Sequence, residues 1–79
     1  MTQEEVMGII AGALEVDRGR LNEESDTETL EAWDSLGQVS ILVALDTALD
    51  GRVAGIEGIQ RAYSVAAIMD ALRQNGLLD

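Results

Sequence analysis

Glu31-Ala32-Trp33-Asp34-Ser35-Leu36-Gly37-Gln38 is the stretch in which the chain changes character. Ahead of it, from Glu15 to Asp34, apolar periodicity is lost, and acids, Asn22 and Ser25 surround an isolated Leu21 and Leu30. Behind it, Leu36, Val39, Ile41, Leu42, Val43, Leu45 and Leu49 recur at helical offsets. An aspartate immediately before such a run is a strong helix cap, because its carboxylate accepts hydrogen bonds from N–H groups that the first turn leaves unpaired. The spacing predicts a helix from Ser35 to about Leu49, capped by Asp34 and closed at Asp50-Gly51, where glycine can take the left-handed conformation. Its apolar positions exceed one face. Ile41, Leu42, Leu45 and Leu49 form a core stripe, and Leu36, Val39 and Val43 form a second stripe that begins beside Ser35. For Val39, burial between helices and exposure are both open; Leu36 and Val43 are expected to be partly exposed.

Working outward, Thr2 and Glu5 make a capping-box pattern ahead of Val6, Ile9, Ile10, Ala13 and Leu14, which share one helix face. A first helix is predicted over about residues 3–14. Gly8 and Gly12 within it each cost up to about 1 kcal/mol against alanine, so this helix depends on packing. Residues 15–34 form a long loop, with Leu21, Leu30 and Trp33 as the apolar anchors such a loop needs. An EF-hand beginning at Asp26 would require glycine at its sixth place and glutamate at its twelfth; those places hold Glu31 and Gly37, and the motif fails. Beyond the central helix, Val53 and Ile56 are expected to tuck inward from a glycine-bearing loop, followed by a short, marginal helix over about 57–62. Ser64 then caps a last helix, about 65–75, whose Val65, Ile68, Met69 and Leu72 fit one face before Asn75-Gly76. The expected fold is all-α, a small up-and-down bundle of three main helices and one short one in a single domain.

Composition narrows function. A chain of 79 residues must commit nearly all its large apolar side chains to one core, which leaves no room for a deep cleft. There is no cysteine, histidine or lysine. The usual thiolate and imidazole metal ligands, the usual general base near neutral pH, the Schiff-base nucleophile and the P-loop lysine are therefore all missing. Catalysis would have to rest on a pair of carboxylates with divided pKa values, which requires a shielded cavity. The net charge of −10 repels nucleic acid and anionic membrane surfaces and steers partners with basic patches toward the chain. No apolar stretch is long enough to cross a bilayer and the first residues lack a basic leader, so a cytoplasmic monomer is expected.

A serine opening a long helix places its hydroxyl where the helix dipole and free N–H groups favour an anion, an effect worth roughly 0.3–1 kcal/mol when exposed. Serine at such a place is also a common cap. Here the sequence resembles the acyl and peptidyl carrier proteins, whose Asp-Ser-Leu motif matches Asp34-Ser35-Leu36. The resemblance covers nearly the whole chain and includes the first helix, the long loop, the short third helix and the last helix from Ser64-Val65. It implies that Ser35 receives a 4′-phosphopantetheine arm from coenzyme A through a phosphopantetheinyl transferase, and that the arm's thiol carries acyl or aminoacyl groups between enzymes. The chain itself would not be an enzyme. The resemblance further implies that Asp34 holds the loop and helps the transferase, that Leu36 touches the arm, and that the second helix is the main recognition element.

Where carriers for fatty acid synthesis usually have an acidic run along that helix, this chain has Gly37, Ser40, Val43, Thr47 and Ala48, keeping only Asp46 and Asp50. The expected partner face, Gly37, Val39, Val43, Asp46 and Glu57, is thus more apolar than the housekeeping pattern. The Trp33-Asp34-Ser35-Leu36-Gly37 run resembles specialised stand-alone carriers, and loading and transferring enzymes with basic or apolar docking patches are the expected partners. Gly37 either admits a partner or the arm, or is merely tolerated near a helix end. Trp33 either shields the base of the arm or anchors the loop. The competing reading is an unmodified acidic adaptor that binds a partner groove through Leu36, Val39 and Val43.

Overall fold

The computed structural model describes residues 1–79 and contains three α-helices: α1 (Gln3–Leu14), α2 (Ser35–Ala48) and α3 (Val65–Gln74). Each starts at a side-chain cap. At α1 the Thr2 N–H donates to Glu5 Oε1 (2.9 Å) and the Glu5 N–H donates to Thr2 Oγ1 (3.1 Å), completing the capping box. Asp34 Oδ1 accepts from the Gly37 N–H at 2.8 Å, and Ser64 Oγ accepts from the Ala67 N–H at 3.0 Å. The helix ends turn through left-handed residues: Glu15 after α1, Asp50 and Gly51 after α2, and Gly76 after α3.

α1 packs chiefly on α2. The end of α1 meets the start of α2, with Leu14 beside Gly37, so the two helices run in opposite senses. All 21 buried apolar side chains join one cluster, drawn from the three helices, from Leu21, Leu30, Trp33, Leu49, Val53, Ile56, Ile59 and Ala62 in the connections, and from Leu77 and Leu78 after α3. No helix is long and apolar enough to cross a membrane.

The long connection between α1 and α2 is more structured than its sequence suggested. It contains a 3-10 turn at Arg18–Arg20, and the Arg18 guanidinium ties this turn back to α1. Arg18 Nε and Nη2 donate to the two Glu4 carboxylate oxygens at 3.0 and 2.9 Å, and Nη1 donates to the Leu21 carbonyl at 2.8 Å. Farther on, Asp26 Oδ1 accepts from the Glu28 and Thr29 N–H groups, both at 2.9 Å, and Ser25 Oγ accepts from the Asn22 N–H at 2.9 Å. Asp26 pairs with Ser64 in an isolated antiparallel bridge that fastens the loop to the start of α3. Leu21, Leu30 and Trp33 are buried as expected of anchors.

The helix expected over 57–62 is instead a single 3-10 turn, Ile59–Arg61. Gly58, at φ 84°, lies in the left-handed region and cannot continue a right-handed helix, so Glu57 is left outside it. α2 and α3 each end one residue before the predicted boundary, with Leu49 and Asn75 as their caps.

Candidate functional site

Because Asp34 is the cap of α2, Ser35 occupies the first helical position with its side chain exposed and released from the capping task. Helix geometry leaves the Ser35 and Leu36 N–H groups without intrahelical partners, while Asp34 takes that of Gly37. The hydroxyl therefore stands at the positive end of a 14-residue helix, in solvent, beside two available backbone donors.

Leu36, Val39 and Val43 share the outer face with Ser35 at helical spacings, and they are 78%, 58% and 60% exposed. The second stripe of α2 is thus open to solvent, and the question left open for Val39 is answered by exposure. The core stripe also holds: Ile41, Leu45 and Leu49 are buried, with Leu42 half-buried beside them. An open groove of about 250 Å3 runs between α2 and the connection that follows it, lined by Leu42, Val43, Thr47, Val53, Ala54 and Ile59 among others. A larger groove of about 390 Å3 lies between α1, the Arg18–Arg20 turn and α3. Its lining takes Arg18, Leu21, Asn22 and Glu23 from the first part of the long connection but no residue of α2 or of the segment just before Ser35, so it belongs to another part of the surface.

Two residues expected on the partner face have internal tasks. Gly37 is buried, and a Cβ there would stand 2.6 Å from the Ala32 carbonyl oxygen and 2.7 Å from Leu14 Cδ2. The absence of a side chain lets the chain's own loop close over the helix start, so glycine is required there and not merely tolerated. Asp46 is half-buried, and its Oδ1 accepts from the Val53 and Ala54 N–H groups at 3.1 and 2.9 Å. It clamps the connection to α2, leaving that helix without a freely presented charge between Ser35 and Ala48. Glu57 is exposed in the same connection, ahead of the 3-10 turn.

Gln38 went unremarked in the sequence. It is 6% exposed and lies on the inward stripe with Ile41 and Leu45. Its Oε1 accepts from Trp33 Nε1–H at 2.6 Å, and its Nε2 donates to the carbonyls of Gln60 (3.3 Å) and Ala62 (3.1 Å). The signal was present: a glutamine in register with a core stripe must either find partners or carry a large desolvation penalty. Trp33, 1% exposed, is accordingly an anchor of the loop and not a lid over the site.

The carboxyl of Glu5 is displaced from its ordinary titration range. Hydrogen bonding to the Thr2 backbone N–H, and then to the Thr2 side chain, holds its carboxyl below the ordinary glutamate value. That displacement belongs to the α1 cap and not to the start of α2.

Compared with protein-family models, curated proteins and solved structures, the chain matches none of them.

Proposed function

We propose that this chain is a non-catalytic carrier whose Ser35 accepts a 4′-phosphopantetheine arm and which shuttles acyl or aminoacyl groups between biosynthetic enzymes. The observation that carries the reading is an exposed serine hydroxyl at the first position of α2, freed from capping by Asp34 and adjoining the uncovered Leu36–Val39–Val43 stripe. The residues present suit the group. Two free N–H donors at the helix start favour the phosphodiester's charge, and Leu36 offers an apolar surface to the arm. α2 carries no basic side chain, so ion pairing from that helix cannot hold a phosphate; a covalent bond to Ser35 Oγ can.

In the attachment step, Ser35 Oγ attacks the coenzyme A phosphorus bearing the pantetheine. A new O–P bond forms, the pyrophosphate P–O bond breaks, adenosine 3′,5′-bisphosphate leaves and the serine proton passes to the transferase. Once attached, the arm supplies the thiol that this cysteine-free chain lacks, and cargo rides on it as a thioester. Asp34 contributes by fixing the turn that presents Ser35. Leu36, Val39 and Val43 form the apolar surface on which the transferase and the loading and transferring enzymes dock, in a specialised pathway rather than housekeeping lipid synthesis.

The test is incubation of the chain with coenzyme A, magnesium and a broad-specificity transferase, followed by intact mass. A gain of one phosphopantetheine that Ser35→Ala abolishes supports the carrier. No gain with several transferases favours the second reading, an unmodified adaptor, which the same exposed stripe would serve.

A further inference from the structure

The Trp33–Gln38 pair brackets Ser35 in the chain, with the indole just before the serine and the glutamine one turn after it, and both side chains are buried beneath the helix start. A glutamine amide can accept at Oε1 and donate twice from Nε2, and here each capacity is used. The indole N–H requires an acceptor and the two carbonyls require donors, so the amide has one orientation; turning it over would set its NH2 group against Trp33 Nε1–H. Polar networks of this kind add little net stability compared with apolar packing of the same volume, but they define a single geometry. The geometry defined here is the path of the loop into α2. Trp33 cannot swing without stranding Gln38 Oε1, and Gln38 is fixed from the far side by the carbonyls flanking Arg61 in the 3-10 turn.

Building on the carrier reading, we propose that Gln38, acting through Trp33, is a positioning residue for the modification of Ser35: the network holds the Asp34–Ser35 turn in the conformation the transferase engages. The connection between α2 and α3 thereby takes part in presenting the serine, although it contributes nothing to the Asp-Ser-Leu motif. If the turn samples other conformations, the transferase meets a competent carrier only part of the time. The apparent KM for the carrier then rises by the reciprocal of the competent fraction, while turnover of the bound carrier is unchanged.

The experiment compares wild type, Gln38→Leu, Trp33→Phe and Ile68→Val in the transferase reaction with coenzyme A and magnesium. Ile68→Val is a core change in α3, a helix that makes none of the network's hydrogen bonds, and controls for general loss of stability. The expected result is a KM for Gln38→Leu raised roughly five- to tenfold, with kcat within about twofold of wild type. Trp33→Phe moves KM in the same direction, the double variant Trp33→Phe/Gln38→Leu is no worse than the larger single effect, and Ile68→Val leaves KM in place. Independently of activity, hydrogen exchange at the Trp33 and Gly37 amides accelerates in Gln38→Leu while that at Ile68 and Leu72 does not. Should Gln38→Leu fail to fold, Trp33→Phe gives the same comparison. An unchanged KM in the network variants, or an equal rise in Ile68→Val, overturns the inference and leaves the carrier reading standing. A wild-type chain that never gains mass overturns both.

Discussion

Gly37 sits so close to Ala32 that a Cβ on the glycine would lie 2.6 Å from the alanine carbonyl oxygen. Backbone cannot yield as the tip of a side chain can, so alanine at this position forces the loop off the helix. The gain in helix propensity, up to about 1 kcal/mol, works in the opposite direction. Overpacking prevails: Gly37→Ala lowers stability by about 1–3 kcal/mol in chemical denaturation. Gly8→Ala and Gly12→Ala, where a Cβ would meet nothing within 4 Å, raise stability by about 0.5–1 kcal/mol each.

Asp46 acts through one carboxylate oxygen on two N–H groups, which separates its shape from its charge. Asp46→Asn keeps an acceptor and stays within about 0.5 kcal/mol of wild type, whereas Asp46→Ala strands both donors and costs about 1–2 kcal/mol. Urea denaturation of the two variants measures the difference. Equal losses would mean that the negative charge, and not the clamp, is what matters.

These two residues also mark the limit of what the sequence discloses. Thr2, Asp34 and Ser64 were readable as caps because each acts on a residue three positions ahead. The α2 stripes were readable because their spacing is local. Gly37, Asp46 and Gln38 act on Leu14, on the Val53–Ala54 backbone and on the Gln60 and Ala62 carbonyls, contacts that exist only after the chain has closed on itself. Two of the three were therefore assigned to the surface and the third passed over. The short helix expected over 57–62 is realised only as the Ile59–Arg61 turn, because glycine permits positive φ at position 58 but nothing local decides that Gly58 uses it.

The capping box makes part of the stability acid-sensitive. The folded-state pKa of Glu5 is depressed, so its contribution is present above the unfolded value, about 4.3, and is lost as pH falls through the lower folded value. Glu5→Gln removes this component: its stability falls less steeply than wild type below about pH 4 and the two differ most near neutrality. Denaturation midpoints measured from pH 7 to pH 2.5 check this, and parallel curves would contradict it.

Docking on an uncharged face has its own signature. Val39→Gln and Val43→Gln leave stability within about 0.5 kcal/mol, because both side chains are more than half exposed. Each lowers kcat/KM with the transferase by about three- to tenfold, and the ratio of variant to wild type changes less than about twofold when salt is raised. A defect that appears only at low salt would point to the surrounding acids as the recognition element.

The central claim concerns one hydroxyl among four serines, Ser25, Ser35, Ser40 and Ser64, and fragmentation can separate them. Trypsin cuts this lysine-free chain at arginine, so protein isolated from its own cells yields the peptide Leu21–Arg52 with three of the four serines inside it. The carrier account predicts a phosphopantetheine mass on that peptide, with the increment localised between Asp34 and Leu36. An unmodified peptide throughout, or an increment on Ser25 or Ser40, would contradict it.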